Sequence, residues 1–175
     1  MTGVADLNKA RIAGVFYLLV FVTGGLALVV RGGVGSTAGL MAGLFYIAVT
    51  LLFYDLFKPV NRRLSLLAAS VSLVGIAVGP VLNVNPLPLF GIYCLLIGYL
   101  IFKSTFLPRI LGVLMAVGSL GWLTFLSPTL TSYLSPYNFA PGILGEGALT
   151  VWLLVFGVDV PKWEFMKTAE ARMQA

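Results

Sequence analysis

Apolar residues in this chain come in long runs, and polar residues fall almost entirely between them. A helix crossing a hydrocarbon core of about 30 Å needs roughly 20 consecutive apolar residues. Six runs reach or approach that length: 12–30 (IAGVFYLLVFVTGGLALVV), 36–57 (STAGLMAGLFYIAVTLLFYDLF), 64–82 (LSLLAASVSLVGIAVGPVL), 86–102 (PLPLFGIYCLLIGYLIF), 110–126 (ILGVLMAVGSLGWLTFL) and 142–158 (GILGEGALTVWLLVFGV). The last three lie at the short end. The first is longer than the apolar core of a signal peptide, about 7–15 residues, and no small-x-small cleavage site follows it, so it reads as a retained helix.

The pattern predicts an all-α polytopic membrane protein, with six transmembrane helices in one bundle. Residues 1–11 form an N-terminal tail, 12–158 the membrane domain and 159–175 a C-terminal tail. KPVNRR joins the second and third helices, NVNPLP the third and fourth, and KSTFLPR the fourth and fifth. The longest loop, SPTLTSYLSPYNFAP, is uncharged and carries two tyrosines, which suits the membrane interface.

Charge strengthens this reading. Six spans put Lys9, Arg11, Lys58, Arg62, Arg63, Lys103, Arg109, Lys162, Lys167 and Arg172 on one side and leave Arg31 alone on the other. Basic residues collect on the cytoplasmic side of membrane proteins, so both termini are expected there. Five spans would spoil the asymmetry. Composition agrees: of 175 residues, 59% are hydrophobic and 10% charged, against about 25% charged in soluble domains, and mean hydropathy is +1.02.

The same composition excludes much chemistry. The net charge of +5 forms no dense patch, so nucleic acid is not an expected partner. With no histidine and one cysteine, Cys94, the usual metal, haem and general-base groups are missing. RGGVGS lacks the lysine of a phosphate loop. No metal, no cofactor and no catalytic set is expected. Cys94 reads as a small buried hydrophobe.

Small residues mark candidate packing faces, because lipid supplies no hydrophobic force between helices. These are Gly39 and Gly43 in the second helix, Gly75 and Gly79 in the third, and Gly112 and Ala116 in the fifth. A weak parallel repeat is also visible: Tyr54, Phe57 and Lys58 align with Tyr99, Phe102 and Lys103, then Arg63 with Arg109 and Gly75 with Gly121.

Few polar groups remain inside the spans. Glu146 stands alone among apolar residues, and a charge at a helix centre costs about 2.5–3.5 kcal/mol on insertion scales. Counted from Pro141 as the helix start, it lies roughly 7 Å into the sixth helix, in the outer part of the bilayer. It either reaches water or the tyrosines of the preceding loop, or faces the bundle interior as a proton- or cation-binding group. Ser72 and Tyr93 are its candidate partners in such a site. Asp55 reads as an ion pair with Lys58. Lys58, Arg62, Arg63, Lys103 and Arg109 are candidates for contact with lipid headgroups.

LFKPVNRRLSLLAA, CLLIGYLIFKSTFLPRILGVLMA and ILGEGALTVWLLVFGV resemble signature stretches of a family of bacterial integral membrane proteins known only as domain of unknown function 4386. The resemblance runs from about residue 40 onward, and FLPRILGVL is its most specific part. It implies a multi-span protein of the bacterial cytoplasmic membrane and supplies no activity. This chain departs from the family in its tight RGGVGS link and in having Ser72 and Tyr93 as the most polar residues of regions where relatives often carry more polar groups. Three functions stay open: an accessory or structural subunit working with a membrane-protein partner or as a homo-oligomer, a small-solute or ion transporter using Glu146, and a lipid-binding or lipid-modifying protein. An enzyme is the least supported class.

Overall fold

The computed structural model describes residues 2–82 and 84–174, and the described residues contain helices and no strand. The helices are α1 (Thr2–Val29), α2 (Gly33–Phe57), α3 (Arg62–Leu82), α4 (Leu87–Lys103), α5 (Arg109–Leu123, continued by one 3-10 turn), α6 (Pro128–Leu134), α7 (Phe139–Val155) and α8 (Val160–Gln174). α1, α2, α3 and α5 are long and apolar enough to cross a membrane. The pair α6 and α7, bent by 80° at its break, passes the same test when taken together, and α4 is a shorter apolar helix. The chain thus has the build of a helical membrane protein.

Each predicted run contains a helix, with displaced ends. α3 starts at Arg62 because Asn61 caps it, its side-chain oxygen accepting from the Leu64 N–H at 3.0 Å. α7 starts at Phe139, before the predicted 142. Pro141 sits in its first turn, where the missing N–H has no helical partner to lose. The loop before α7 coils into α6, capped by Ser127, and its Tyr133 and Tyr137 point outward. The two predicted tails are helical as well. Residues 2–11 extend α1, and Asp159 caps α8 by accepting from the Lys162 N–H at 3.2 Å. Lys162 also pairs with Asp159 at 2.7 Å, which holds that exposed carboxyl below its ordinary pKa.

The helices close into a ring. α1 packs on α2, α2 on α3, α3 on α4, α4 on α5 and α5 on α7, and α7 returns to α1. Glycine sets close approaches between helices. A Cβ at Gly112 would stand 2.6 Å from the Gly98 carbonyl oxygen, so α4 and α5 meet backbone to backbone. A Cβ at Gly145 would stand 2.5 Å from the Leu114 carbonyl oxygen, which brings α7 against α5. The α2–α3 hairpin packs more loosely, with Gly43 facing the Ile76 methyl at 3.8 Å. The two hairpins aligned by the weak repeat are therefore joined in different ways.

One end of the ring gathers the basic segments. Lys9 of α1 bonds Asp55 of α2 at 2.9 Å, and Asp55 also pairs with Lys58. Trp163 of α8 donates its indole N–H to the Leu56 carbonyl at 3.0 Å. The Asp159 N–H reaches the Phe106 carbonyl in the α4–α5 link at 3.1 Å. Arg31 lies at the turn from α1 to α2, at the other end of both helices.

Candidate functional site

Inside the ring a set of aromatic side chains runs from α1 to α5. Tyr17 of α1 meets Tyr46 of α2 edge-on at 6.0 Å, Tyr46 meets Tyr93 of α4 at 5.7 Å, and Phe90 of α4 meets Trp122 of α5 at 5.3 Å. Such rings fill volume while carrying hydroxyl or N–H groups that need partners.

Glu146 supplies two of those partners. It is the eighth residue of α7's 17, so it sits mid-helix, roughly 10 Å from the first residue. This is deeper than the sequence implied, because α7 begins at Phe139, two residues before Pro141. Glu146 is 5% exposed and faces the ring interior. Oε1 accepts the Trp122 indole N–H at 2.7 Å, and Oε2 accepts the Tyr17 hydroxyl at 2.9 Å. The loop tyrosines, Tyr133 and Tyr137, are not its partners. Room for the contact is made by Gly142, one turn before Glu146, where any Cβ would collide with the Trp122 indole. The Cys94 thiol of α4 adjoins the carboxyl. Thr150, one turn on, returns its hydroxyl to the Glu146 carbonyl at 2.8 Å.

The other two predicted partners lie one step away. Ser72 of α3 shares a 2.7 Å hydrogen bond with Thr50 of α2. The Tyr93 hydroxyl lies near Thr50 and Tyr46 but meets hydrogen-bond geometry with neither. The Tyr46 hydroxyl is likewise buried without a partner. Among the described residues the interior thus holds one acid, the hydroxyl residues Tyr17, Tyr46, Thr50, Ser72, Tyr93 and Thr150, and no basic side chain in hydrogen-bond contact with the acid. None of Tyr17, Tyr46, Thr50 and Trp122 is singled out by the sequence. The available signal was that a tryptophan donor and a lone acid both fall inside apolar runs, where each must find a partner.

The headgroup candidates sit at the basic end. Lys58 is tied to Asp55, and Arg62 and Arg63 are exposed at the start of α3. Lys103 lies over the Tyr99 ring and Arg109 over the Phe102 ring, each 5.8 Å from the centroid. Among the packing candidates, Gly112 and Ala116 contact Gly98 closely, and Gly75 and Gly79 face Leu89 and Pro86, where a Cβ would stand at 3.3 Å. Gly39 and Gly43 have ordinary spacing. No group of three metal-ligating side chains occurs among the described residues.

Residues 82–157 match the family described as Domain of unknown function (DUF4386). The DUF4386 match is shorter than the stretch from residue 40 over which the sequence resembles the family. It includes FLPRILGVL, Tyr93, Cys94, Trp122 and Glu146, and leaves Tyr17, Tyr46, Thr50 and Ser72 outside. The chain is also similar to an uncharacterized protein of Archaeoglobus fulgidus, 26% identical, across 75% of this chain and 92% of the relative. No solved structure matches it. The acid and its indole donor thus fall within the DUF4386 region, and the aromatic wall facing them comes from α1 and α2.

Proposed function

We propose that this is a six-span protein of the bacterial cytoplasmic membrane, with both termini cytoplasmic, acting as an accessory or structural subunit beside another membrane protein or in a homo-oligomer. The topology rests on the basic end of the ring, where the start of α1, the α2–α3 and α4–α5 links and α8 come together. The subunit reading rests on one observation above others: both oxygens of the interior acid are occupied by donors of the protein itself, behind helices fitted together at glycine. A solute site would present the acid to a cavity. Native mass spectrometry of the protein extracted gently from its host membrane tests the reading. A stoichiometric protein partner or a defined homo-oligomer supports it, and a lone monomer overturns it.

Proton or cation transport through Glu146 is the second reading. It is favoured by the Tyr46 and Tyr93 hydroxyls, buried without partners in the same interior, because a bound water or ion would satisfy them.

A further inference from the structure

The outer face of the α4–α5 pair carries a groove of about 470 Å³, lined by Leu95, Gly98, Tyr99 and Phe102 of α4 and by Gly112, Val113, Ala116, Val117 and Leu120 of α5. The α4 positions recur at intervals of three and four residues, and so do most of those on α5, so each set forms one helix face. The floor is low because Gly98 and Gly112 bring the two backbones together and leave no side chain above the seam. The walls are apolar along the whole groove.

The basic end of the groove is different. Lys103 follows Tyr99 by four residues, and Arg109 precedes Gly112 by three and Val113 by four, so both cations continue the same two faces. Each rests over an aromatic ring at the groove's edge, Lys103 on Tyr99 and Arg109 on Phe102. Both are exposed, and neither forms an ion pair among the described residues, whereas Lys58 and Lys162 each have an aspartate. Two cations held at the mouth of an apolar channel that faces outward from the ring match one kind of molecule. That molecule has an anionic head and a hydrocarbon tail.

We propose that the α4–α5 groove is a binding site for an anionic phospholipid, with one acyl chain lying along Gly98, Gly112, Ala116 and Val117 and the phosphate held between Lys103 and Arg109. The site goes beyond the subunit role and does not depend on it. Its geometry assigns different tasks to the two parts: the cations choose the headgroup charge, and the low glycine floor gives the chain its place.

The test equilibrates the purified protein with equal amounts of phosphatidylglycerol and phosphatidylcholine in mixed micelles, and counts retained lipids by native mass spectrometry. One retained phosphatidylglycerol per chain is expected. Lys103→Gln and Arg109→Gln should each lower the preference for phosphatidylglycerol roughly fivefold. Val117→Trp, which fills the groove from an exposed position, should remove the bound lipid while both cations remain. Arg62→Gln, at the same end but outside the groove, should change little. Equal retention of the two lipids overturns the proposal, and so does a retained phosphatidylglycerol indifferent to the groove variants. A disulfide forming between two copies of Val113→Cys in the native membrane would also overturn it, by giving the groove to a second copy of the chain.

Discussion

The Trp122 indole N–H on α5 donates to Oε1 of Glu146 on α7 at 2.7 Å, where both side chains are buried. Indole nitrogen can only donate, so this contact fixes which carboxyl oxygen is an acceptor. Trp122→Phe keeps a ring and strands that oxygen. A loss of about 1–3 kcal/mol is expected, read as a lower unfolding midpoint in mild detergent. An unchanged midpoint would mean that the bond contributes nothing.

Glu146→Gln and Glu146→Leu should separate cleanly. Glutamine keeps an acceptor for Trp122 and turns a donor toward Tyr17, whose hydroxyl can rotate to accept. Its cost should stay below about 1 kcal/mol. Leucine leaves both donors buried and unpaired, at a cost of at least about 2 kcal/mol. Thermal unfolding of the two variants side by side checks the order, and equal losses would contradict the hydrogen-bonding account.

Tyr17 and Trp122 hold the same carboxyl from α1 and α5, the two helices that flank α7. Their effects should therefore be coupled. A double-mutant cycle of Tyr17→Phe and Trp122→Phe is expected to depart from additivity by at least about 0.5 kcal/mol. Strict additivity would show that the two bonds act independently.

Glycine substitutions should rank by what a Cβ meets. At Gly112 it meets the Gly98 carbonyl at 2.6 Å, and α4 and α5 must part. At Gly39 it meets only the Ala27 Cβ, at 3.7 Å. Gly112→Ala should cost about 1–3 kcal/mol. Gly39→Ala should be neutral or slightly favourable, given the helix propensity of alanine. Circular dichroism melts of the pair decide it.

The helices were legible because a run of apolar residues is a local property. The 142–158 run already contained most of α7. Its true start at Phe139 was hidden because Pro141 signals a beginning as well in the first turn as just before it. The polar C-terminal segment contains no apolar run, so α8 and the buried Trp163 emerge only from packing. The acid at 146 was conspicuous, but its partners were not. Tyr17 is separated from it by 129 positions, and nothing in a single sequence tells an interfacial tyrosine from one pointing into a ring. The GxxxG spacing identified Gly39 and Gly43, which pack loosely, and passed over Gly98 and Gly142. Spacing reports a face of a helix, and the depth of contact depends on what stands opposite.

The central claim is that Glu146 is an internal acceptor tying α1, α5 and α7 together. Proton and potassium flux into vesicles reconstituted with the protein tests it most directly. The account predicts flux no greater than in empty vesicles, for the wild type and Glu146→Gln alike. A flux carried by the wild type and abolished by Glu146→Gln, in a variant that still folds, would contradict it and make the acid a transport site.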